Sequence, residues 1–426
     1  MTRRISTTLT AAVLALGLTP VVQGTAQAAE VVIGVLYPLT GPVAQVGIDA
    51  VAAVKTAVDI INEDVNLNVP LGPGKGLTNL GGAKIRLVIA DHGGKPDVGQ
   101  AEAERMITQE KVHALFGAYY SSVTKTASQV AERYQIPYLN AESTSPGLSK
   151  RGFKWFFRTT PHDGEFTKLM YEFMKDFQKK KGIKLNTVAI LHEDSEWGTG
   201  SGKVQQSMAD SGGYKVVENI AYKKTTTSMT SEVQRLKAAS PDVFLPSSYT
   251  SDAMLFLRTA KELDYNPKLV IAQNAGYTDP TFLKQMGADA EGAITRNPYN
   301  DDLAKTIPLI SKINARFKKY SNGRDLSDVP VRAFTGFLAL ADAINRAGST
   351  DPEKIRKALV ATDIPPEKLI VPWRGIKFGS DGHNLLSRGI LQQVQNGKYC
   401  TIYPFEVASC DVVYPMPTWK EKAAMK

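Results

Sequence analysis

The chain is short of the groups that carry chemistry on their own. Its five histidines, His92, His113, His162, His192 and His383, are scattered with no i, i+4 pair, so no metal site is suggested. No G-x-S-x-G nucleophile elbow is present. Gly198-Thr199-Gly200-Ser201-Gly202-Lys203 superficially resembles a phosphate loop. The required spacing, however, puts Trp197 where the first glycine belongs and Val204 where a Ser or Thr should hold magnesium. Neither an enzyme nor a cofactor is expected.

Cysteine is nearly absent. Cys400 and Cys410 are the only two, ten positions apart near the C-terminus. In an oxidising compartment a hairpin-closing disulfide is the leading reading, and a metal site would need more ligands than the nearby sequence offers. Concentrated charge is also missing. The formal net charge of +9 is spread along the chain, two units of it coming from Arg3 and Arg4. Lys179-Lys180-Lys181 and Lys223-Lys224 are the compact clusters, and neither is interleaved with aromatics, so they read as solvated surface rather than a nucleic-acid footprint.

Long hydrophobic runs are confined to the N-terminus. Arg3 and Arg4 precede an apolar stretch from Leu9 to Val22, and Ala26-Gln27-Ala28 fits a small-residue cleavage site. Thr10, Thr19, Pro20 and Gln23 interrupt a core already short of the ~20 residues that span a bilayer. Residues 1–28 therefore read as an export signal, and a soluble periplasmic protein beginning at Ala29 is expected.

What remains, about 400 residues, exceeds a usual single domain and suggests two lobes. Val31 to Leu36 and Lys84 to Ala90 read as buried strands, the second ending at Asp91-His92, with a helix to about Ile61 and another over 97–110. Asn66 to Gly82, rich in Gly, Pro and Asn, reads as a surface excursion. The alternation restarts at Thr187 to Leu191, followed by strands at 214–221, 243–245 and 269–272 between helices over 200–211, 228–239 and 251–263. Helices are then expected at about 303–320, 332–347 and 353–361, before C-terminal strands. Such alternation argues for α/β lobes with parallel-rich sheets covered on both faces.

Residues 113–147 carry the functional signal. Ala114-Leu115-Phe116 reads as a strand, Tyr119-Tyr120-Ser121-Ser122 as a turn, and Thr124 to Tyr134 as a helix. Ile136 to Leu139 then ends in a second hydroxyl-rich loop, Ser143-Thr144-Ser145. Ligands of open parallel sheets bind beyond the carboxyl ends of the strands, and a helix N-terminus there favours a carboxylate. The competing reading is that these hydroxyls merely cap helices.

The segments Ile33-Gly34-Val35, Leu39-Thr40-Gly41-Pro42-Val43-Ala44, Gly117 to Ser128, Ile136-Pro137-Tyr138 through Thr144-Ser145-Pro146, Phe157-Arg158-Thr159 and Trp197-Gly198-Thr199-Gly200 come in a telling order and spacing. Together they resemble the periplasmic substrate-binding proteins of ABC importers, of the leucine/isoleucine/valine-binding type. The resemblance spans Val31 to about Leu391. It implies the type I periplasmic binding protein fold: two Rossmann-like lobes joined by a three-crossover hinge. Lobe one would hold residues 29–159 and 298–370, and lobe two 160–297 and 371–426.

It also implies a monomeric receptor that traps an amino acid, or a small carboxylate or amide, and hands it to a membrane permease. A sensory domain of the same fold, or an exported hydrolase, would be the alternatives. By position, Ser121 would hold a ligand carboxylate, and Thr144 would contact carboxylate and amine. Ser122 and Ser143 belong to the same two loops, and Tyr249 would close from the second lobe. Glu142 falls where the family uses mainly its backbone. Trp197 would line the opposite wall or sit in the core. The acid expected to pair with an ammonium falls at Asn274, and an aromatic common in the first lobe is Val46. Either Glu142 supplies the charge or the ligand lacks an ammonium; an amino acid is the expectation.

Overall fold

The architecture is that of a computed structural model describing residues 1–2, 30–63 and 65–425. The export signal expected at residues 1–28 falls, after Thr2, outside them. Within the first lobe the wholly apolar run β1 (Val31–Tyr37) is buried along its length, as befits a central parallel strand. Helix α1 (Ala44–Asn62), β2 (Ile85–Asp91), α2 (Pro96–Thr108), β3 (Ala114–Gly117), α3 (Ser121–Tyr134), β4 (Tyr138–Asn140) and β5 (Phe156–Arg158) follow. The five strands form one parallel sheet in the order β2-β1-β3-β4-β5. Gly117 ends β3 at φ 113°, where an added Cβ would lie 2.1 Å from the Leu36 carbonyl oxygen, so only glycine fits this close approach.

The second lobe repeats the alternation. It contains α4 (Asp163–Lys181), β6 (Thr187–Glu193), α5 (Glu196–Gly212), β7 (Lys215–Tyr222), α6 (Thr230–Ala239), β8 (Val243–Ser247), α7 (Thr250–Glu262), β9 (Ile271–Ala272), α8 (Pro280–Met286) and β10 (Ile294–Asn297). The chain then returns to the first lobe through α9 (Leu309–Tyr320), α10 (Asp328–Ala347), α11 (Pro352–Val360) and the small antiparallel pair β11 (Asp363–Ile364) and β12 (Ile376–Lys377). Helix α9 starts later than the expected 303, because Pro308 precedes it and a separate 3-10 turn occupies Asp301–Lys305.

Strands β13 (Ile390–Gln395) and β14 (Lys398–Tyr403) add antiparallel edges beside β10, and α12 (Trp419–Ala424) closes the chain. The bridge between Phe244 and Val270 joins β7-β6-β8 to β9-β10-β13-β14. Cys400 and Cys410 are disulfide-bonded, with Cα atoms 6.0 Å apart. No helix among the described residues is long and apolar enough to cross a membrane.

Three hydrophobic clusters follow this division. One collects buried residues from Val31 to Phe157 and from Tyr299 to Ile390, together with Trp197, Tyr249 and Ala275. The other two draw on residues between Met170 and Ile294 and between Leu391 and Trp419. Val371, Trp373, Ile376 and Phe378 pack in the first cluster, beyond the boundary at 370 expected from sequence. Along the chain the buried residues change from the first cluster to the others between Ile390 and Leu391.

The first and third crossings are sewn together. Arg158 Nε donates to His383 Nδ1 at 3.2 Å, His383 Nε2 bonds Glu165 at 2.9 Å, and Asn384 donates to the Thr159 carbonyl at 3.1 Å. His162 and His383, far apart in sequence, thus meet with Glu165 in a group whose ligand atoms lie within 4.8 Å. Both Nδ1 atoms are acceptors, from Arg158 Nε for His383 and from the Gly164 and Glu165 N–H groups for His162. A neutral ring in that arrangement keeps its proton on Nε2, so the cluster is built to brace the hinge rather than to bind a cation.

Candidate functional site

The carboxyl ends of both sheets face one another, and ten residues surround a small buried cavity of about 20 Å³, room for roughly one or two water centres. Lobe one contributes Tyr119, Ser121, Glu142, Thr144 and Arg332; lobe two contributes Trp197, Tyr249, Asn274, Ala275 and Arg296. The lobes touch around it. Lys125 pairs with Glu196 at 2.8 Å, the Thr278 hydroxyl donates to Asp328 at 3.0 Å, and Arg296 donates to Thr144 Oγ1 at 3.3 Å.

Of the candidates read from the sequence, Ser121, Glu142, Thr144, Trp197, Tyr249 and Asn274 converge here; Ser122 and Ser143 do not line the cavity. Ser121 is the first residue of α3 rather than its cap, and the capping residue Tyr120 makes no side-chain cap bond. The first N–H groups of a helix have no intrahelical partner, so Ser121 brings a hydroxyl and free backbone donors to the same spot. Its Oγ accepts from the Ser145 N–H at 3.3 Å, which ties the two hydroxyl loops together. Ser143 is spent on that loop architecture. It bonds the Ala118 carbonyl at 2.7 Å and Thr124 Oγ1 at 2.7 Å, and its N–H donates to Asn140 Oδ1.

Asn274 departs most from its expected part. At φ 63° and ψ −137° it lies outside the left-handed helical region, in backbone space that favours glycine. Its Oδ1 accepts from the Ala275 N–H and lies 3.2 Å from the Thr278 hydroxyl, whose proton goes to Asp328, so it organises a turn rather than offering an acceptor to the cavity. Val46 lies one step away, lining an adjoining gap with Asp49, Tyr119 and Thr278. Trp197 and Tyr249 form the aromatic wall, with ring centroids 4.7 Å apart. Tyr120 packs against Tyr249 at 4.7 Å and Tyr119 does so at 5.8 Å. Lys224 Nζ sits 3.8 Å over the Tyr120 ring.

Two arginines escaped the sequence reading. Arg296, near the end of β10, is buried beneath the floor of the cavity. It is held by Asp163 at 2.8 Å and by Gln273 Oε1 at 3.0 Å, and it stacks on Phe166 at 3.7 Å. Arg332, one turn into α10, pairs with Asp328 at 2.8 Å and donates to the Glu142 carbonyl oxygen at 2.8 Å. A signal existed for Arg332: it is a lone cation in the apolar run 329–341, four residues after an aspartate. Arg296 had a weaker one, as a charge inside the strand-like stretch before Asn297-Pro298.

Burial moves the site's acids upward. The Glu142 carboxyl is pushed to about 7 by desolvation, against the opposing pull of the Tyr37 hydroxyl and of Arg332. Tyr37 donates to its Oε1 at 2.7 Å, while Oε2 has no partner. Asp163 is likewise pushed to about 6 by burial, although Arg296 favours its charged form. The cavity therefore combines hydroxyl and backbone donors, two guanidinium groups, one acid that titrates near neutrality and an aromatic wall. That set can bind and orient a small anion. It holds no nucleophile beside a base.

A sequence profile of the periplasmic binding proteins matches residues 30–398. The chain is 29% identical over 413 residues to a Leu/Ile/Val-binding protein homolog 7 of Brucella suis, covering 94% of this chain and 98% of that one. It is also 29% identical over 396 residues to homolog 8 of Brucella abortus, covering 90% and 93%. Its fold is similar to that of a leucine-binding protein LivK from Thermotoga maritima, with a TM-score of 0.74 and 21% identity over 88% of this chain and all of the other. A solute-binding protein of an ABC transporter from Rhodopseudomonas palustris, solved with 3,4-dihydroxybenzoic acid, gives a TM-score of 0.72 at 19% identity over 91% and 98%.

Proposed function

The chain belongs to the periplasmic binding protein family, and from that membership we propose that it is the solute receptor of an ABC importer. It captures a small carboxylate-bearing solute, an amino acid or a related acid or amide, between its lobes and delivers it as a monomer to a membrane permease. One observation carries the reading: side chains from both lobes, Ser121, Thr144 and Arg332 from one and Tyr249 and Arg296 from the other, surround a single buried cavity. Binding groups split across a hinge make closure and capture the same event. A ligand that touches both walls binds the closed form better than the open one and shifts the population by that difference.

Two kinds of relative support a small acid as cargo. The curated ones are named for leucine, isoleucine and valine, and a structural neighbour holds an aromatic acid. The fold and family are those of receptors rather than enzymes. Native mass spectrometry of gently purified protein, followed by a thermal-shift screen of amino acids, aliphatic and aromatic acids and amides, tests the proposal. A true ligand at 100 times its dissociation constant stabilises by ~2.7 kcal/mol. A panel in which no carboxylate shifts the melting temperature would refute it.

A further inference from the structure

The cavity's polar atoms specify the sign of the ligand's charge, on the premise that it is a solute site. Most of its acceptors are already engaged, Glu142 Oε2 being the exception. The Glu142 carbonyl oxygen takes Arg332 Nη1 at 2.8 Å, and Thr144 Oγ1 takes Arg296 Nη2 at 3.3 Å. Asn274 Oδ1 takes the Ala275 N–H, and Glu142 Oε1 takes the Tyr37 hydroxyl. Donors, by contrast, are left over. Arg296 Nη1 and Arg332 Nε have no hydrogen-bond partner, although both residues are 1% exposed and line the cavity. A buried donor without a partner costs free energy that a bound acceptor recovers. Each guanidinium is braced by one aspartate, Asp163 or Asp328, and neither aspartate lines this cavity.

We propose that the ligand is an acid without an ammonium group, its carboxylate and any second oxygen function taken by Arg332 and Arg296 from opposite lobes together with Ser121. An α-ammonium here would approach two guanidinium groups in a site nearly free of water, where like charges repel strongly. The one acceptor left for it, Glu142 Oε2, belongs to a carboxyl that burial keeps partly protonated near neutral pH. Next to a bound anion the protonated form is the favoured one, and Oε2 then donates a hydrogen bond to the acid. The cavity as it stands has room for roughly one or two waters, so the ligand's apolar body enters only when the lobes part further, against the rings of Trp197 and Tyr249.

The test compares matched pairs on the full exported protein by calorimetry: leucine against isocaproate, phenylalanine against hydrocinnamate, each pair differing only in the amine. The amine-free member of the preferred pair should bind tighter by about tenfold or more. An amino acid that equals or exceeds its deaminated partner overturns the inference while leaving the receptor reading intact. If neither member of any pair binds, the carboxylate reading falls and takes the inference with it. Arg296→Lys keeps the charge beside Asp163 but removes the fork. It also gives up the Gln273 bond and the Phe166 stack, so the unliganded melting temperature should fall, and the folded variant should bind the preferred acid about tenfold more weakly. Unchanged affinity would remove Arg296 from the ligand. Should this variant fold poorly, Arg332→Lys gives the same reading from the other lobe, and the wild-type pairs decide the matter regardless.

Discussion

The two walls of the cavity are made in different ways. The first-lobe wall is largely backbone and hydroxyl: the N-terminus of α3 and the loop after β4, fastened together by Ser143, Asn140 and the Ser121–Ser145 contact. The second-lobe wall is side chain: a guanidinium held by an aspartate, and two aromatics packed at a tilt. A wall of backbone donors is preorganised by the sheet beneath it and tolerates substitution, because its N–H groups survive any mutation except to proline. A wall of side chains can be retuned residue by residue. Selectivity in this protein should therefore reside mainly in the second lobe and in Arg332, and basal anion affinity in the first.

The harshest way to break that contrast is Arg296→Met. It strands Asp163 in a fully buried position, and we expect a loss of ~3–5 kcal/mol in unfolding free energy, the range for a buried ion pair cut on one side. The double variant with Asp163→Asn should recover most of the loss, since no charge is then left unpaired. Urea unfolding of both variants checks this; equal destabilisation by the single and the double would show that Arg296 acts by packing on Phe166 instead.

Next in size is the pH response of Glu142. Its neighbours are Tyr37 on β1, Tyr138 on β4, and Asp328 and Arg332 on α10. Its carboxyl is raised in the folded state, so the native protein holds that proton more tightly than the unfolded chain does. The stabilisation this gives is fully present below about pH 4.5 and is lost as pH rises through about 7. Glu142→Gln removes the loss and keeps an acceptor for Tyr37. The variant should match wild type near pH 4 and exceed it by up to ~3 kcal/mol at pH 8. Parallel pH–stability curves for the two proteins would show that Glu142 is not buried as a near-neutral acid.

Much of the fold was legible from alternation alone, since strands such as Val31–Tyr37 and Thr187–Glu193 carry their period in consecutive residues. The helix Asp163–Lys181 was not, because its cap is a histidine, His162, outside the usual Ser, Thr, Asp and Asn signal. Within the site, the hydroxyl loops could be read because a strand, a turn and a helix start lie side by side in sequence. Arg296 and Arg332 could not be joined to them. Their partners, Asp163 and the Glu142 carbonyl oxygen, are 133 and 190 positions away, and the local signals, a cation in an apolar run or a strand-like stretch, do not say what the guanidinium meets. The meeting of His162 with His383 was hidden for the same reason.

The smaller effects separate two serines that both stood among the candidates, Ser121 with a carboxylate to hold and Ser143 as a member of the second loop. Ser121→Ala should weaken a carboxylate ligand by ~1.5–3 kcal/mol, the range for a hydrogen bond to a charged group, and leave the unliganded protein's stability nearly unchanged. Its Oγ accepts only a long bond from Ser145, and the helix N–H groups remain to hold part of the anion. Ser143→Ala should do the reverse. The lost hydroxyl takes one donor from the Ala118 carbonyl, which keeps Thr124 Oγ1 and Asn140 Nδ2, and one partner from Thr124, at a cost of ~1 kcal/mol in stability. Affinity should fall less than in Ser121→Ala, because no ligand atom is lost. Calorimetry and chemical unfolding on both variants give four numbers, and the crossed pattern is the prediction. If Ser143→Ala cost more affinity than Ser121→Ala, the first wall would bind through its loop geometry and not through the hydroxyl at the start of α3.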